Sequence, residues 1–471
     1  MTELTQATPG LYAQRSTQSA SSSRASEKRS RLNTILFWAL FVVLALAPLP
    51  FGSHRAIVWG VWACYIGVVG LCYFVAYGTT GERLRVSVGG VTLLLFAAYC
   101  AFLVFQLLPL GNVPIISSGS TSIGAGQISI APSLTVLMLV RQLSYGLFFL
   151  LIMQVMVHDG RRAMALWAML LVVVAYGLYA LVNLQTADTI LGLEKWAYRG
   201  SATGTFVNRN SFATFVGFGA VLALAQGCAV LVRQSQRHAN DGQIVNFTSS
   251  LVLFGIAYAF LLVVLVATQS RMGLFATFVA SGVVVLIALL TMRSLRALLF
   301  AAPVGLAALA GAVYLAGGGL LERIENMRLA TDDRGTIYQQ IADLIAMRPW
   351  AGFGGGTFEL AFPLVHRLPL PPDLTFTKGH NTYLTLWAEL GLIAGSIPIL
   401  AIAYLAFRLV RSLVRGEGSW TAQTAALGVI ILAGVHSLVD FSLEIQANVI
   451  LFLAIVAAGV ATTTGTKRRD R

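Results

Sequence analysis

The feature that most constrains this chain is a series of apolar stretches, each of roughly the 20 residues that a helix needs to cross a bilayer. About twelve are present, and they lie near residues 34–51, 56–77, 90–110, 134–157, 163–184, 211–232, 248–268, 272–292, 297–316, 381–407, 421–437 and 446–463. Hydrophobic residues make up 57% of the chain and charged residues 11%. Because lipid offers no partner to free backbone N–H and C=O groups, such segments must be helical. The sequence predicts an all-α polytopic membrane protein with about 12 transmembrane helices.

The spacing of these segments divides the chain into five parts. Residues 1–32 are Ser-rich and basic and indicate a disordered cytoplasmic tail. Nine spans follow within 33–316, three more occupy 381–463, and 464–471 form a basic cytoplasmic tail. The long connection at 317–380 far exceeds the ~2–8 residues usual between helices, and loops of such length are usually functional or disordered. We expect it to be a large loop on the outer, periplasmic side of the membrane that carries function.

The distribution of basic residues orients the chain, since Lys and Arg concentrate in cytoplasmic loops. With the N-terminus inside and twelve alternating spans, every inside segment is basic, and together these segments hold 20 of the 32 Lys and Arg residues. The net charge of +13 is therefore explained by topology, and no nucleic-acid partner is expected. Both termini are predicted to be cytoplasmic, in a bacterial inner membrane.

Eleven basic residues fall on the predicted outer face, against this trend. They are Arg55, Lys195, Arg199, Arg209, Arg271, Arg323, Arg328, Arg334, Arg348, Arg367 and Lys378. Any one of them could reach the headgroups and bind lipid phosphate unspecifically. Their concentration at 185–210, 269–271 and 317–380 also fits an anion-binding site.

Arg209 and Arg271 are the strongest candidates for binding an anion. In GTFVNRNSFATF, Arg209 lies between Asn208 and Asn210 just before a span, with Ser211 as the expected N-cap. Arg271, in TQSRMG, occupies a turn so short that two spans must converge there. A helix N-terminus beside a planar guanidinium is a good oxyanion site, and two such groups suit a diphosphate.

Arg141 stands about seven residues inside its span, in LMLVRQLSYG. A charge there costs ~2.5–3.5 kcal/mol on insertion scales, so this side chain should face protein or a wet cavity. A ligand role and a structural pairing with a carboxylate or carbonyls both remain open.

The long loop contains an apolar pattern of helical period. Ile337, Ile341, Leu344 and Ile345 predict an amphipathic helix over 336–347 at the membrane surface. Arg334 and Tyr338, four residues apart, would share one face. The GFGGG run that follows lacks the context of a dinucleotide fingerprint and is better interpreted as a turn or a glycan-contacting loop.

Polar residues also gather where the tenth span begins, in KGHNTYLTLWAELG. Lys378, His380 and Asn381 precede the apolar run, and Glu389 lies within it, out of phase with His380. His380 is either an interfacial histidine bonded to a carbonyl or a general base acting on a hydroxyl.

His436 and Asp440 are four residues apart, a spacing that predicts a His–Asp hydrogen bond on one helical face. Two ligands are too few for a zinc site, so we expect neither a metal nor a cofactor.

Several of these motifs together resemble a known family. MRPWAGFGGGTF followed by KGHNTYLTLWAELGLIAG, with NRN at 208–210, SR at 270–271 and the late HSLVDFSLEIQANV, is similar to the O-antigen ligase and polymerase superfamily, the WaaL-like and Wzy-like membrane glycosyltransferases. The motif-bearing part spans roughly 200–450.

The resemblance implies a GT-C-like fold and a metal-independent, inverting glycosyltransferase at the periplasmic face. Its donor would be a glycan on undecaprenyl pyrophosphate, and its acceptor a lipid A–core sugar in a ligase or another repeat unit in a polymerase. By position, Arg209 and Arg271 would bind the pyrophosphate, and His380 would act at the acceptor or leaving group. Asn208, Asn210, Arg334, Tyr338, Lys378, Asn381, Glu389 and Arg141 are the supporting candidates.

Two other functions stay open on the sequence alone. A polymerase of O-antigen or exopolysaccharide shares the ligase motifs. A transporter of lipid-linked glycans would also have many spans and buried polar residues. The sequence shows no internal repeat, however, and its polar residues gather at one face, which favours the enzyme.

Overall fold

A computed structural model describes residues 30–79, 88–110, 113–118, 121–237, 245–292 and 320–463 of the chain. This part is mostly helical. In chain order the helices are α1 Ser30–Leu46, α2 Ala56–Gly78, α3 Gly90–Phe105, α4 Pro132–Met156, α5 Asp159–Thr186, α6 Arg209–Arg237, α7 Val245–Ala267, α8 Arg271–Met292, α9 Leu320–Met347, α10 Phe358–Ala361, α11 Thr382–Val414, α12 Trp420–His436 and α13 Gln446–Val460. Two small antiparallel pairs complete it, β1 Val113–Ser118 with β2 Thr121–Ala125, and β3 Thr189–Ile190 with β4 Leu193–Glu194.

Seven helices in the described ranges are long and apolar enough to cross a membrane: α2, α4, α5, α6, α7, α8 and α11. Four shorter apolar helices, α1, α3, α12 and α13, coincide with further predicted spans. The polytopic all-α class is therefore confirmed. The count of twelve stays a prediction, because the segment expected at 297–316 lies outside the described residues.

Helices α6, α12 and α13 form the centre of the bundle. The side chains of α6 from Ser211 to Ala223 are all buried. Glycines allow this close packing: a Cβ added to Gly217 would lie 2.6 Å from Thr277 Oγ1, and one added to Gly428 would lie 2.5 Å from a Val221 methyl carbon. Between helices in lipid, small residues of this kind permit the backbone approach that drives association.

The outer helices show the opposite pattern. On α2, Ile57, Val61 and Leu71 are more than half exposed, and on α11 Ile393 and Phe407 are as well. Lipid tails are as apolar as these side chains, so such faces are stable against a bilayer and need no protein cover.

The polar loops meet at one end of the bundle, here named the site end. Thr205 Oγ1 donates to the carbonyl of Pro48 at 2.6 Å, which joins the end of α1 to the loop before α6. Ala202 N donates to Ala267 O at 2.9 Å, which joins that loop to the end of α7. Contacts at the other end, here the opposite end, include Arg408 Nη1 to Val88 O at 2.7 Å.

The glycine-rich loop and α11 form one structural unit at the site end. Helix α11 is interrupted at Gly391, where φ is 75°. Loop N–H groups bond to the freed carbonyls: Phe353 N to Ala388 O at 3.1 Å and Gly354 N to Glu389 O at 2.9 Å. A Cβ on Gly352 would lie 2.3 Å from Glu389 O, so this approach requires glycine. The glycine run is therefore a buried turn, as one of the two interpretations anticipated.

Helix α9 covers this unit, and it differs from the helix predicted over 336–347. It begins at Leu320, sixteen residues earlier than expected, and continues through Asp332 and Asp333. The four predicted apolar residues, from Ile337 to Ile345, are buried. They pack with Phe353, Phe358 and Phe362 of the same loop and with Ala388 of α11.

Replacing Gly428 by Leu should destabilise the bundle, because the new side chain collides with Val221 and Val284. Overpacking of this kind costs about 1–3 kcal/mol. We expect a lower midpoint of thermal unfolding in detergent. Gly255→Leu is the matched control, since a Cβ there meets no described heavy atom within 4 Å. Equal midpoints for the two variants would contradict the packing described here.

Candidate active site

Helix α6 begins at the site end with Arg209. Asn208 caps this helix, since its Oδ1 accepts from Asn210 N at 2.7 Å and from Ser211 N at 3.4 Å. The expectation that Ser211 is the cap was wrong: Ser211 already lies within the first turn. The Arg209 guanidinium stacks over the ring of Tyr198 at 5.3 Å and lies 3.4 Å from Ser201 Oγ.

Helix α8 begins beside α6, with Arg271 as its first residue. The turn from α7 is as tight as predicted, and Gln269 anchors it by donating from Nε2 to Gly200 O at 2.9 Å. A Cβ on Gly273 would lie 2.7 Å from the Cβ of Ala213, and Gly217 and Thr277 meet about one turn further on. The two helices are therefore parallel, and their N-termini, each opening with an arginine, lie side by side. Arg271 is exposed.

Asp440 joins α6 to the region around His380. Its Oδ1 accepts from Asn210 Nδ2 at 3.4 Å, its Oδ2 accepts from Ser442 Oγ, and its carbonyl accepts from Thr382 Oγ1 at 3.0 Å. The side chain is fully buried. This burial raises the pKa of Asp440 to about 6, against the opposing effects of Ser442, His380 and Asn210.

His380 is held in a strained position just before α11. Its φ of 49° lies in the left-handed region, which costs a non-glycine residue of order 1 kcal/mol and persists only where the surroundings enforce it. Tyr338 OH donates to the His380 carbonyl at 3.0 Å, and Asn381 caps α11 by accepting from the N–H groups of Tyr383 and Leu384. The imidazole packs edge-on against Phe441, with ring centroids 5.2 Å apart.

The protonation of His380 is set mainly by burial, which lowers its pKa, and Arg334 lowers it further while Asp440 and Glu444 raise it. The net effect is a pKa below the usual value for histidine. The imidazole is therefore neutral at pH 7 and able to accept a proton. Asp440, ionised at that pH, stabilises the imidazolium that forms.

The predicted supporting residues divide into two groups. Asn208, Asn210, Tyr338 and Asn381 hold the backbone of the site through the bonds described above. Arg334 is exposed, and its charge acts on His380. Lys378 forms an ion pair with Glu444 at 2.8 Å.

Glu389 and Arg141 are engaged elsewhere. Glu389 is buried, and its Oε1 accepts from Phe358 N at 3.1 Å, so it supports the glycine-rich loop. The Arg141 guanidinium lies over the rings of Trp59 and Tyr145 at 5.6 and 6.0 Å.

The structure also sorts the outward cations. Seven of the eleven contact a carboxylate, a carbonyl or an aromatic ring in their own neighbourhood: Arg55, Lys195, Arg199, Arg209, Arg348, Arg367 and Lys378. The side chains of Arg323 and Arg328 lie outside the description. Arg334 acts on His380 through its charge, and Arg209 and Arg271 are the first residues of α6 and α8.

The expected hydrogen bond between His436 and Asp440 is absent. His436 bonds through Nδ1 to Thr214 Oγ1 at 2.6 Å, and Asp440 binds other groups. The expected His436–Asp440 bond was wrong because α12 ends at His436, so the four-residue helical spacing does not apply. Sequence reasoning thus overlooked Asp440 as a site residue, and Tyr198 as the platform for Arg209. The only signal for Asp440 was an acidic residue close to a polar cluster in HSLVDFSLE.

Replacing Asp440 by Asn should raise stability above pH 6 and change its pH dependence. A raised folded pKa means that stability is full below the unfolded pKa and is lost as pH rises through about 6. The wild-type melting midpoint should therefore fall between about pH 4, near the unfolded pKa, and about pH 7, just above the folded pKa, and the fall should be roughly 2–4 °C smaller in Asp440→Asn. Identical pH profiles for the two proteins would contradict the burial of a charged carboxylate at this position.

Glu389→Ala should destabilise the loop, because it leaves the buried N–H of Phe358 without its acceptor, at a cost of about 1–3 kcal/mol. Glu389→Gln retains an acceptor oxygen and should unfold close to the wild-type temperature. The comparison is made by thermal unfolding and limited proteolysis at 349–380. If Glu389→Gln lost as much stability as Glu389→Ala, the negative charge of Glu389 itself would be required.

A search of curated proteins found no match to this chain. A family model described as O-antigen ligase matches residues 256–399. The matched segment includes Arg271, α9, the glycine-rich loop and the start of α11 with His380, whereas Arg209 and Asp440 lie outside it. Over this segment the predicted resemblance to the O-antigen ligase and polymerase superfamily is confirmed.

Proposed function

We propose that this protein is an O-antigen ligase-like membrane glycosyltransferase. It transfers a glycan from undecaprenyl pyrophosphate to an acceptor hydroxyl on a lipid A–core sugar, with inversion. The proposed location is the periplasmic face of the bacterial inner membrane, with both termini cytoplasmic. The charge distribution along the chain supports this orientation.

The observation that carries the proposal is the pairing of α6 and α8. Two parallel helices begin side by side at the site end, and each begins with an arginine, Arg209 and Arg271. Helix N-termini carry partial positive charge and free N–H groups, and guanidinium groups bind phosphate oxygens bidentately. A pyrophosphate at the headgroup level of the membrane fits this arrangement.

The reacting hydroxyl is assigned to the region of His380. The bond from the sugar C1 to the pyrophosphate oxygen breaks, a bond from the acceptor oxygen to C1 forms, and the acceptor proton passes to the neutral imidazole. The electron pair and the negative charge leave with undecaprenyl pyrophosphate. Fixed guanidiniums stabilise that charge as it develops, which is the larger catalytic contribution in reactions of this type.

Hydrogen bonds around Asp440 hold the start of α6 and the start of α11 in place, which supports the assignment of the reaction to His380. Asp440 connects Asn210 on α6 with Thr382 on α11, so the start of α6, which carries Arg209, and the start of α11, which follows His380, belong to one hydrogen-bonded unit. Positioning of reacting groups in this way contributes to the rate by avoiding reorganisation during the step.

Single substitutions should separate these roles. Arg209→Gln and Arg271→Gln should each lower kcat/KM for transfer by about 10²–10³-fold through lost charge stabilisation. His380→Ala should lower kcat by about 10²–10⁴-fold. Transfer is measured on purified protein with a synthetic lipid-pyrophosphate glycan.

Arg199→Gln is the matched control for the arginine variants. Arg199 lies in the loop before α6, is exposed and pairs with Glu194. It should transfer at the wild-type rate, and all variants should melt within a few degrees of one another. Wild-type transfer by all three site variants would exclude this site assignment.

The acceptor is tested in the host by deleting the gene and separating surface and lipid-linked glycans on a gel. Long glycan retained on the lipid carrier, with lipid A–core left bare, supports the ligase. Single repeats attached to core, or loss of an exopolysaccharide with core glycosylation unchanged, would instead identify a polymerase that joins repeat units.

A further inference from the structure

A large cavity lies at the opposite end of the bundle, far from His380. Its volume is about 910 Å³, and α5, α6, α7 and α12 surround it. On the α6 side it extends from Gln226 to Gln236, ten residues or about 15 Å of helix. Between Gln226 and the site end, α6 is buried from Ser211 to Ala223, so this cavity and the candidate active site are separated by packed helix.

The cavity has a cationic mouth. Arg233 lies there, and its Nη2 is 3.4 Å from Thr421 Oγ1 in the first turn of α12. Arg162 also borders the cavity, where Asp159 and the carbonyl of Met156 bind its guanidinium. The N–H groups in the first turn of a helix lack intrahelical acceptors and attract anions, so α12 adds to the positive potential.

Part of the interior of the cavity is apolar. Trp167 and Phe254 form an aromatic wall, with ring centroids 4.6 Å apart. Gln226 is 94% buried, borders the cavity, and its amide Nε2 has no hydrogen-bond partner within the described part of the chain. A buried amide without an acceptor costs free energy, so a ligand that supplies an oxygen there is favoured.

From these features we propose that the cavity binds an anionic membrane phospholipid. Arg233 and the start of α12 would bind the phosphate, the aromatic wall would contact an acyl chain, and Gln226 would donate to an ester carbonyl. A soluble anion would bind at Arg233 and the start of α12 but would leave the apolar part of the cavity unfilled. By the predicted orientation this is the cytoplasmic leaflet, whose anionic lipids attract basic groups. The proposal does not depend on the glycosyltransferase assignment.

The test is native mass spectrometry of the full-length protein in detergent, titrated with phosphatidylglycerol, phosphatidylcholine or inorganic phosphate. We expect phosphatidylglycerol to bind at least tenfold more tightly than phosphatidylcholine. Arg233→Gln should remove that preference. Ala229→Phe, which fills the space between Gln226 and Arg233, should weaken the binding of both lipids.

Arg411→Gln is the matched control, because Arg411 is exposed on the last turn of α11, at the same end but outside the cavity. It should bind both lipids as the wild type does, and thermal unfolding should show that every variant is folded. Equal affinity for the two lipids, or an unchanged preference in Arg233→Gln, would overturn the proposal. If equimolar inorganic phosphate displaced phosphatidylglycerol, the cavity would be a site for free phosphate and the lipid proposal would be overturned.

Discussion

Backbone hydrogen bonds between the glycine-rich loop and the interrupted helix α11 hold the site end together. A helix that breaks within its apolar run leaves carbonyl groups that lipid cannot satisfy, and here the N–H groups of Phe353 and Gly354 satisfy two of them. Gln106 bridges the same junction, donating to the carbonyls of Ala351 and Glu389. The orientation of the first turns of α11, and hence of His380, depends on this junction.

The polar groups at this end serve two distinct purposes. Lys195, Arg348 and Arg367 are tied to nearby carboxylates and carbonyls and hold loops in place. Arg334 instead acts on His380, and Arg209 and Arg271 begin the adjacent helices α6 and α8. Four of the eleven outward cations, Lys195, Arg199, Arg367 and Lys378, are paired with a carboxylate and so are neutralised locally.

Periodicity and hydrophobicity were sufficient to predict the helices, because a lipid environment leaves few alternatives to a continuous apolar helix. The same reasoning selected Arg209, Arg271 and His380 as site candidates, because polar groups next to a span are conspicuous. It failed where tertiary contacts decide the structure. The surroundings of Asp440 are set by Asn210 and Thr382, which are distant in sequence.

The close contact of α6 with α8 has a consequence for selectivity. Gly273 against Ala213 and Gly217 against Thr277 bring the helices together at the short end of the usual interaxial range, about 8–10 Å. That distance fixes the separation of the two arginine backbones, because neither helix can slide without a steric clash. In the proposed site, this fixed separation would limit the length of an anion that both guanidinium groups can bind at once.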